Sequence, residues 1–202
     1  MLRLYYHPFS TFSQRVRIAL VEKQISAEMV EVDLLSRAQF RPEYLRKNPY
    51  GRVPTIEEDG LLLYESTAIL EYLEATRPAP PLLPADVRLR AVAAMHIKIC
   101  DLEFAEPSRA ILLPKRFLPK DRWRSDLMDA AKARIQKHLT ILETQLDGRE
   151  YLVDGQFSLV EVCYAPFLQF LSILEVEPGP ATAQWAARFL ERPSIRETRP
   201  AR

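Results

Sequence analysis

The sequence has almost no net charge and no run of basic residues: 28 Lys and Arg balance 27 Asp and Glu, for a formal charge of +1. Proteins that bind nucleic acid rely on clustered Lys and Arg to contact phosphates, so we predict no nucleic-acid partner. The chain also lacks any apolar stretch of about 18 residues, the length that a membrane span needs. Its N-terminus lacks the charged start, apolar core and cleavage site of a signal peptide. We therefore expect a cytoplasmic protein with no membrane partner.

Cysteine and histidine are also scarce, with two Cys and three His in 202 residues. Cys100 and Cys163 lie far apart, each inside a predicted helix, so buried thiols are a better interpretation than a disulfide or a metal site. His7, His96 and His138 show no metal-ligand spacing, and we predict no metal cofactor. The chain has no Gly-x-Ser-x-Gly elbow, which argues against a serine hydrolase.

Two short segments meet the requirements of a site for a peptide-like ligand. Pro54 lacks an N–H and should begin its strand, and a cis Val53-Pro54 bond would leave the Val53 backbone facing solvent. An extended peptide could then pair with that backbone as a further strand does. Ser66 is expected to N-cap the next helix, whose first N–H groups favour an anion, while Glu65 offers a carboxylate to an ammonium group. Together the segments predict a site for an α-amino acid head group and the peptide that follows it.

Hydrophobic periodicity over residues 1–77 predicts the order strand, helix, strand, short helix, hairpin, helix. The hairpin turns at Asp59-Gly60, a strong two-residue turn signal. A parallel strand pair joined by a helix, followed by a hairpin and a last helix, is the outline of a thioredoxin-like domain. The predicted fold class is therefore α+β, with a βαβαββα domain and a mixed four-stranded sheet.

The rest of the chain is predicted to be helical. Residues 78–84 contain four prolines and should form a linker. Residues 85–202 then form an all-α domain, in which Pro107 should kink or interrupt the first long helix. Ser158 and Glu161 form a capping box at the start of a helix that is apolar almost all round. Residues from Arg192 onward are expected to form a polar tail.

Three motifs in the first domain resemble the N-terminal domain of cytosolic glutathione transferases of the serine type. They lie in the family's order over about seventy residues, and the similarity is to bacterial-type members near the zeta, theta and delta classes. The motifs are Tyr5-Tyr6-His7-Pro8-Phe9-Ser10 with Ser13-Gln14-Arg15-Val16-Arg17-Ile18-Ala19-Leu20, then Asn48-Pro49-Tyr50-Gly51-Arg52-Val53-Pro54, then Glu65-Ser66-Thr67-Ala68-Ile69-Leu70.

The resemblance implies an enzyme that binds glutathione as co-substrate and activates its thiol as a thiolate. That thiolate would conjugate to a small electrophile, or reduce a peroxide or remove a halide. Ser10 is the expected catalytic residue, because its hydroxyl could donate to the sulfur at the N-terminus of the first helix and favour the thiolate. Thr11 and Ser13 carry hydroxyls within one turn and stay alternatives, although N-capping is the better interpretation for Ser13. No cysteine lies in this segment, so disulfide exchange through a protein thiol is disfavoured.

The resemblance also implies which residues hold glutathione. Its backbone should meet Val53 and Pro54, and its glutamyl head group should meet Glu65 and Ser66. Arg52 and Gln39 are candidates for its glycine carboxylate. For Arg52, a solvated arginine at the end of a strand is an equally good interpretation.

A small hydrophobic electrophile is the second partner that the resemblance implies. Candidate residues are Phe12, Phe104, Ser108 and Arg109, although aromatic residues at helical spacing more often belong to a core. Isomerisation of maleylacetoacetate, the zeta-class reaction, is an alternative, as is a transferase-like binding or regulatory protein without catalysis. The zeta Ser-Ser-Cys triplet is replaced here by Ser10-Thr11-Phe12, and no arginine lies between Phe167 and Val176.

A homodimer is expected, with Tyr50 and the helix after the linker at its interface.

Overall fold

The computed structural model describes residues 1–200, and their contacts divide the chain into two compact units. The first unit contains Met1–Leu82 and a C-terminal segment that begins at Arg192, and the second contains Leu83–Glu191. None of the helices described for residues 1–200 is long and apolar enough to cross a membrane. Within the same residues, no group of three or more His, Cys, Asp or Glu side chains is arranged to hold a metal ion.

The first unit is built on one mixed sheet with the strand order β2-β1-β3-β4. Leu4 of β1 lies opposite Met29 of the parallel β2 and opposite Ile56 of the antiparallel β3. Asp59 and Gly60 join β3 to β4 with positive φ angles of 49° and 86°, as the turn signal predicts. The thioredoxin-like fold class is thereby confirmed. The strands are β1 (Arg3–Tyr6), β2 (Glu28–Glu31), β3 (Thr55–Glu58) and β4 (Leu61–Tyr64).

Three α-helices and one 3₁₀ turn complete the N-terminal part of this unit. Helix α1 packs against α3, and the fully buried Ile18 and Leu73 show where the two helices contribute to the core. The helices are α1 (Thr11–Glu22), α2 (Pro42–Leu45) and α3 (Ser66–Thr76), with the 3₁₀ turn at Ala38–Phe40.

A buried ion pair ties the end of α1 to α3 and to the segment that follows α3. Lys23 Nζ lies 2.5 Å from Glu74 Oε2, and the two side chains are 1% and 5% exposed. Lys23 also donates to the Pro80 carbonyl at 2.8 Å, and Glu74 accepts from the Leu82 N–H at 3.1 Å. The proline-rich segment is thus anchored to the first unit as far as Leu82 by two buried charges.

The second unit is helical throughout its described length. The predicted interruption near Pro107 takes the form of a π-helical segment, Cys100–Ala105, which joins α4 to α5 just before that proline. Such segments are local distortions of an α-helix, and proline removes the N–H that would keep the ladder regular. The helices are α4 (Val87–Ile99), α5 (Glu106–Phe117), α6 (Ser125–Leu146), α7 (Leu159–Leu168), α8 (Leu171–Leu174) and α9 (Pro180–Leu190), with a 3₁₀ turn at Lys120–Arg122.

The predicted capping box begins α7. The Val160 N–H donates to Ser158 Oγ at 3.2 Å, and Glu161 Oε2 accepts from the Ser158 N–H at 2.9 Å. Glu161 is fully buried and also accepts from Trp185 Nε1 at 3.1 Å. Burial raises the pKa of this carboxyl to about 7, against the opposing effect of its hydrogen bonds. The box therefore closes the helix end and also fixes a core tryptophan.

Residues 192–200 correct two predictions, the polar tail from Arg192 and its place in the 85–202 domain; residues 201 and 202 of both predictions lie outside the described residues. A short helix α10 (Pro193–Thr198) packs against α1 in the first unit. The guanidinium of Arg192 donates to both carboxylate oxygens of Glu22 at 2.9 and 2.8 Å. Ile195 is fully buried. The segment is held in place by the buried Ile195 and a few hydrogen bonds rather than by an apolar face. Its sequence therefore shows no hydrophobic periodicity that would predict a packed helix.

Candidate functional site

Ser10 occupies the N-cap position of α1. Its backbone is extended, with φ −81° and ψ 116°, and its Oγ accepts from the Ser13 N–H at 3.1 Å. No described residue accepts the Ser10 hydroxyl proton. Helix α1 has no acidic residue in its first turn, so the positive end of its dipole is not neutralised there. The hydroxyl can therefore accept from the helix and still donate outward to an anion.

The two neighbouring hydroxyls are placed differently from Ser10. Ser13 is fully buried and its Oγ accepts from the His7 N–H at 3.4 Å. The prediction that Ser13 N-caps the helix is wrong, because Ser10 holds that position. Thr11 is the first residue of α1 and partly buried. Ser13 thus serves the packing of the strand-to-helix turn, and Thr11 stays an alternative.

The Val53-Pro54 segment begins β3, and its peptide bond is cis. The preceding carbonyl, that of Arg52, accepts from the Tyr44 hydroxyl at 2.7 Å and from Asn48 Nδ2 at 2.9 Å. No described residue hydrogen-bonds to the Val53 N–H or carbonyl. The segment is thus held from behind while its Val53 backbone keeps its pairing capacity, which is what an added peptide strand requires.

Tyr44 was not singled out in the sequence analysis. It is 6% exposed and packs edge-on against Tyr5 at 6.1 Å between ring centroids. Burial raises the pKa of its phenol to about 12. The hydroxyl therefore stays a neutral donor to the Arg52 carbonyl. An aromatic residue a few positions before the cis-proline motif is the signal that could have found it.

Gln39 and Arg52 are next to a point where two backbone segments come close together, residues 39–40 and Gly51. Gly51 has φ +59°, and a Cβ added there would lie 2.7 Å from the Phe40 ring and 3.1 Å from the Gln39 carbonyl oxygen. Gln39 Oε1 is buried without a hydrogen-bond partner among the described residues. The Arg52 side chain is exposed, and no described residue pairs with its guanidinium. Both side chains thus retain hydrogen-bonding capacity.

Glu65 and Ser66 lie at the start of α3, which begins one residue earlier than predicted. Glu65 is the N-cap residue, with φ 70° and ψ 117°, and Ser66 is the first helical residue, so the predicted N-cap role of Ser66 is wrong. A positive φ at a non-glycine residue is uncommon and clusters at functional sites. Glu65 is exposed, and no described residue hydrogen-bonds to its carboxylate. The pair presents a carboxylate and a helix N-terminus side by side.

A buried arginine connects α1 with the start of α3. Arg15 is 0% exposed, and its Nη1 donates to Ser66 Oγ at 3.3 Å. Ser66 is 5% exposed. The sequence signal was an arginine one helical turn after Phe12 and one before Ala19, on the apolar face of α1. One hydrogen bond from this guanidinium therefore links α1 to the N-terminus of α3.

The four candidate electrophile residues lie in different environments. Phe12 in the first unit lies under the Arg15 guanidinium, 5.0 Å from ring centroid to Cζ. In the second unit, Phe104 is fully buried against Tyr164 and Phe167, which favours a core role over ligand contact. Ser108 is fully buried, with no described partner for its Oγ. Arg109 is part-exposed and lies 3.4 Å from the carboxylate of Glu106.

Comparison with family models places both units in one family. Residues 4–81 match the model described as glutathione S-transferase, N-terminal domain. Residues 108–193 match the model described as glutathione S-transferase, C-terminal domain. Together the two models cover most of the chain, and the chain belongs to the cytosolic glutathione transferase superfamily.

Individual relatives agree with this assignment. Maleylacetoacetate isomerase of Rattus norvegicus is 33% identical over 183 residues, covering 88% of this chain and 81% of its own. Glutathione S-transferase F6 of Arabidopsis thaliana is 28% identical over 204 residues, covering 97% and 98%.

Solved structures share the fold. Poplar glutathione transferase F1 has a TM-score of 0.88 at 23% identity, covering 98% of this chain and 95% of its own. A glutathione transferase homologue from Sulfitobacter, solved with bound glutathione, has a TM-score of 0.84 at 24% identity, covering 98% and 96%.

Proposed function

We propose that this protein is a glutathione transferase that stabilises the thiolate of glutathione and adds its sulfur to a small electrophile. The observation that carries the proposal is the geometry of Ser10. Its oxygen accepts from the Ser13 N–H at 3.1 Å, and its proton has no described acceptor. A sulfur beside the N-terminus of α1 would receive that proton in a hydrogen bond, and the helix dipole would favour its negative charge.

The required effect is within reach of one hydroxyl and one helix end. The glutathione thiol should have a solution pKa near the cysteine value of about 8.5, which leaves only a few per cent thiolate at neutral pH. Lowering that pKa by two units requires about 2.7 kcal/mol of preferential stabilisation. A hydrogen bond to a charged group contributes about 1.5–3 kcal/mol. Ser10 need not ionise, so the reaction requires no base beside it.

We propose that the rest of glutathione binds to backbone and side-chain groups whose hydrogen-bonding capacity is not used by other described residues. We assign its backbone to Val53 beside Pro54, its glutamyl ammonium to Glu65 and its glutamyl carboxylate to Ser66 and the α3 N-terminus. Arg52 and Gln39 are assigned to the glycine carboxylate. The Arg52 charge is exposed, and a Gln39 amide can donate once its side chain is reoriented.

The decisive experiment compares the thiolate absorbance of bound glutathione in wild type, Ser10→Ala and Ser10→Thr across pH. We expect a bound-thiol pKa well below 8.5 in wild type, a rise of one to two units in Ser10→Ala, and recovery in Ser10→Thr. Thr11→Ala is the matched control, since it removes a hydroxyl one residue away. Loss of the cap costs Ser10→Ala about 1 kcal/mol of stability, so melting temperatures are measured alongside.

Two outcomes would contradict the assignment. Glutathione that binds wild type without a thiolate band at neutral pH would indicate a binding or regulatory protein rather than an enzyme. A pKa that rises in Thr11→Ala and not in Ser10→Ala would move the catalytic role to Thr11.

We propose that the second substrate is small and hydrophobic. Phe12 in the first unit and Arg109 in the second unit are separate candidate contacts, whereas Ser108 and Phe104 are fully buried and less suited to that role. The part-exposed Arg109 would favour an anionic electrophile. Turnover of aryl halides, epoxides, peroxides and isothiocyanates identifies the class. A reducing compartment such as the cytoplasm fits Cys100 and Cys163, which are buried and form no disulfide.

Isomerisation of a maleyl compound is the second candidate function. It is favoured by the identity of 33% to the rat maleylacetoacetate isomerase. It uses the same thiolate, so a maleyl substrate belongs in the panel. Isomer formation that requires glutathione and is lost in Ser10→Ala would make it the activity of this chain, and absence of turnover would exclude it.

We propose a homodimer on the basis of exposed apolar side chains in each unit. Tyr50 in the first unit is 63% exposed and packs edge-on against Tyr64 at 5.7 Å. On α4 in the second unit, Val87 is 76% and Met95 47% exposed. Sedimentation velocity should show a dimer at micromolar concentration, and a monomer would contradict the proposal.

A further inference from the structure

We propose that the tip of the hairpin formed by α5 and α6 is a docking surface for an anionic lipid bilayer. The hairpin tip comprises residues 113–127, which are the end of α5, the loop with its 3₁₀ turn, and the first turn of α6. The inference does not depend on the proposed function. The expectation of no membrane partner follows from the lack of a spanning segment, and contact with a bilayer surface requires none.

Exposed apolar side chains carry the first step. Every residue from 116 to 127 except Trp123 is exposed. Phe117 follows Leu113 by one helical turn, so the two side chains share a face of α5. Four large apolar side chains of the hairpin tip are between 43% and 52% exposed: Leu113, Phe117, Leu118 and Leu127. Apolar side chains that cluster in this way, beside polar neighbours, mark a surface that binds a partner.

Trp123 adds an amphipathic side chain to the hairpin tip. Its ring is only partly buried, and its Nε1 donates to the Leu118 carbonyl at 3.0 Å. This hydrogen bond holds the indole close to the end of α5. Tryptophan is enriched where headgroups meet acyl chains, because its ring is apolar and its N–H is polar.

Charge identifies the partner. The hairpin tip contains five basic and two acidic residues, a net charge of +3 in a chain whose total is +1. Lys115 is already paired with Glu175. Lys120 and Arg122 lie in the loop on either side of Asp121, and no described residue forms an ion pair with either cation. Such cations beside exposed apolar side chains suit anionic headgroups with acyl chains beneath them.

A bilayer fits the hairpin tip better than a second copy of the chain does. Protein–protein interfaces are depleted in lysine and bury about 800 Å² on each partner, which requires a broad surface. The hairpin tip is instead a short loop between two helix ends, with nearly all of its residues exposed. Such a segment can enter the boundary between headgroups and acyl chains to a depth of about 5–10 Å.

The experiment measures co-sedimentation of the full chain with lipid vesicles. Vesicles of phosphatidylcholine alone are compared with vesicles that contain about 30% phosphatidylserine. We expect the wild type to partition at least about tenfold more strongly onto the anionic vesicles. Phe117→Ser with Leu118→Ser should lower that partition by about tenfold or more. Lys120→Gln with Arg122→Gln should lower it by about thirtyfold.

Matched controls lie on α6, outside the hairpin tip. Ile141 is 46% exposed, close to the value for Phe117, and Lys137 is also exposed. Ile141→Ser and Lys137→Gln should partition as the wild type does, to within about twofold. Every side chain replaced in these variants is exposed, so their melting temperatures should stay close to that of the wild type.

Trp123 can report the contact directly. Lipids with brominated acyl chains quench a tryptophan at the bilayer surface, whereas Trp185 is 1% exposed and out of their reach. Anionic vesicles that contain brominated lipid should quench part of the wild-type fluorescence and shift the emission to the blue. Trp123→Phe should still sediment with the vesicles and show no quenching.

Three results would overturn the inference. The first is wild-type protein that does not sediment with anionic vesicles. The second is an equal loss of partition in the hairpin-tip variants and in the α6 controls. The third is self-association without vesicle binding that Phe117→Ser with Leu118→Ser abolishes, which would assign the hairpin tip to a second copy of the chain. None of these measurements involves glutathione, so the inference and the proposed function are tested separately.

Discussion

The buried imidazole of His138 should make the helical unit sensitive to mild acid. His138 is on α6 and 3% exposed, and its Nε2 lies 3.0 Å from the Tyr164 hydroxyl. Its ring stacks on that of Tyr164 at 5.8 Å between centroids and lies 6.2 Å from Phe104. Burial lowers the pKa of His138 to about 4, with Glu103 opposing and His96 reinforcing the shift. The folded unit therefore holds this side chain neutral.

The sign and size of the effect follow from the two pKa values. The unfolded chain binds a proton at His138 near pH 6.5, whereas the folded chain does so only near pH 4. The stability contribution of the neutral imidazole is complete above pH 6.5 and is lost as the pH falls towards 4. Each pKa unit corresponds to 1.36 kcal/mol, so the full loss is about 3 kcal/mol, of which about 2 kcal/mol is gone by pH 5.

The assay is urea unfolding of wild type and His138→Gln at pH values from 5 to 8. Trp123 and Trp185 are the only tryptophans and both lie in the second unit, so their fluorescence reports that unit. The free energy of unfolding of wild type should fall by about 2 kcal/mol relative to the variant between pH 8 and pH 5. Tyr164→Phe is the control, because it removes the hydroxyl and keeps the titrating group.

The comparison between variants is needed because Glu161 acts in the opposite direction. Its raised pKa of about 7 contributes stability below pH 4.5 that is lost as the pH rises through 7. This contribution is common to wild type and His138→Gln and cancels in their difference. A difference that stays constant from pH 5 to pH 8 would refute the reasoning on His138.

Two further predictions concern the first unit. Gly51→Ala should lower the free energy of unfolding by about 2 kcal/mol or more, because φ is +59° and the new Cβ would lie 2.7 Å from the Phe40 ring. Gly60 also has a positive φ, but nothing lies within 4 Å of an added Cβ, so Gly60→Ala should lower stability less in the same melting assay. Glu74→Gln should cost about 3–5 kcal/mol because it leaves Lys23 buried without its counter-ion, and the apolar pair Lys23→Met with Glu74→Leu should recover most of that loss by chemical denaturation. Equal losses in the two glycine variants, or a double variant less stable than Glu74→Gln, would contradict these accounts.

The fold could be predicted because its signals are local. Alternation, helical periodicity and the Asp59-Gly60 turn each operate over a few residues, and together they define the thioredoxin-like order. The family prediction is confirmed by the two matched family models. The residues assigned to glutathione binding stay predictions, because a sequence motif indicates a family and does not itself demonstrate a contact with the ligand.

The errors have long-range or conformational causes. The positive φ of Glu65 moves the start of α3 back by one residue, and side-chain type does not reveal a backbone angle. The contact of the Arg192 segment with α1 joins residues about 170 positions apart, beyond the reach of any periodicity.

The return of α10 makes the thioredoxin-like unit discontinuous in the chain. During synthesis the sheet and α1–α3 emerge before the helical unit, but Glu22 can meet Arg192 and Ser194 only after residues 192–194 have left the ribosome. The unit is completed after the helical unit that interrupts it, whereas domains generally fold in order of emergence. A fragment that ends at Leu82 would lack α10, which packs against α1. A designed single-domain version therefore needs the segment that begins at Arg192 joined to it.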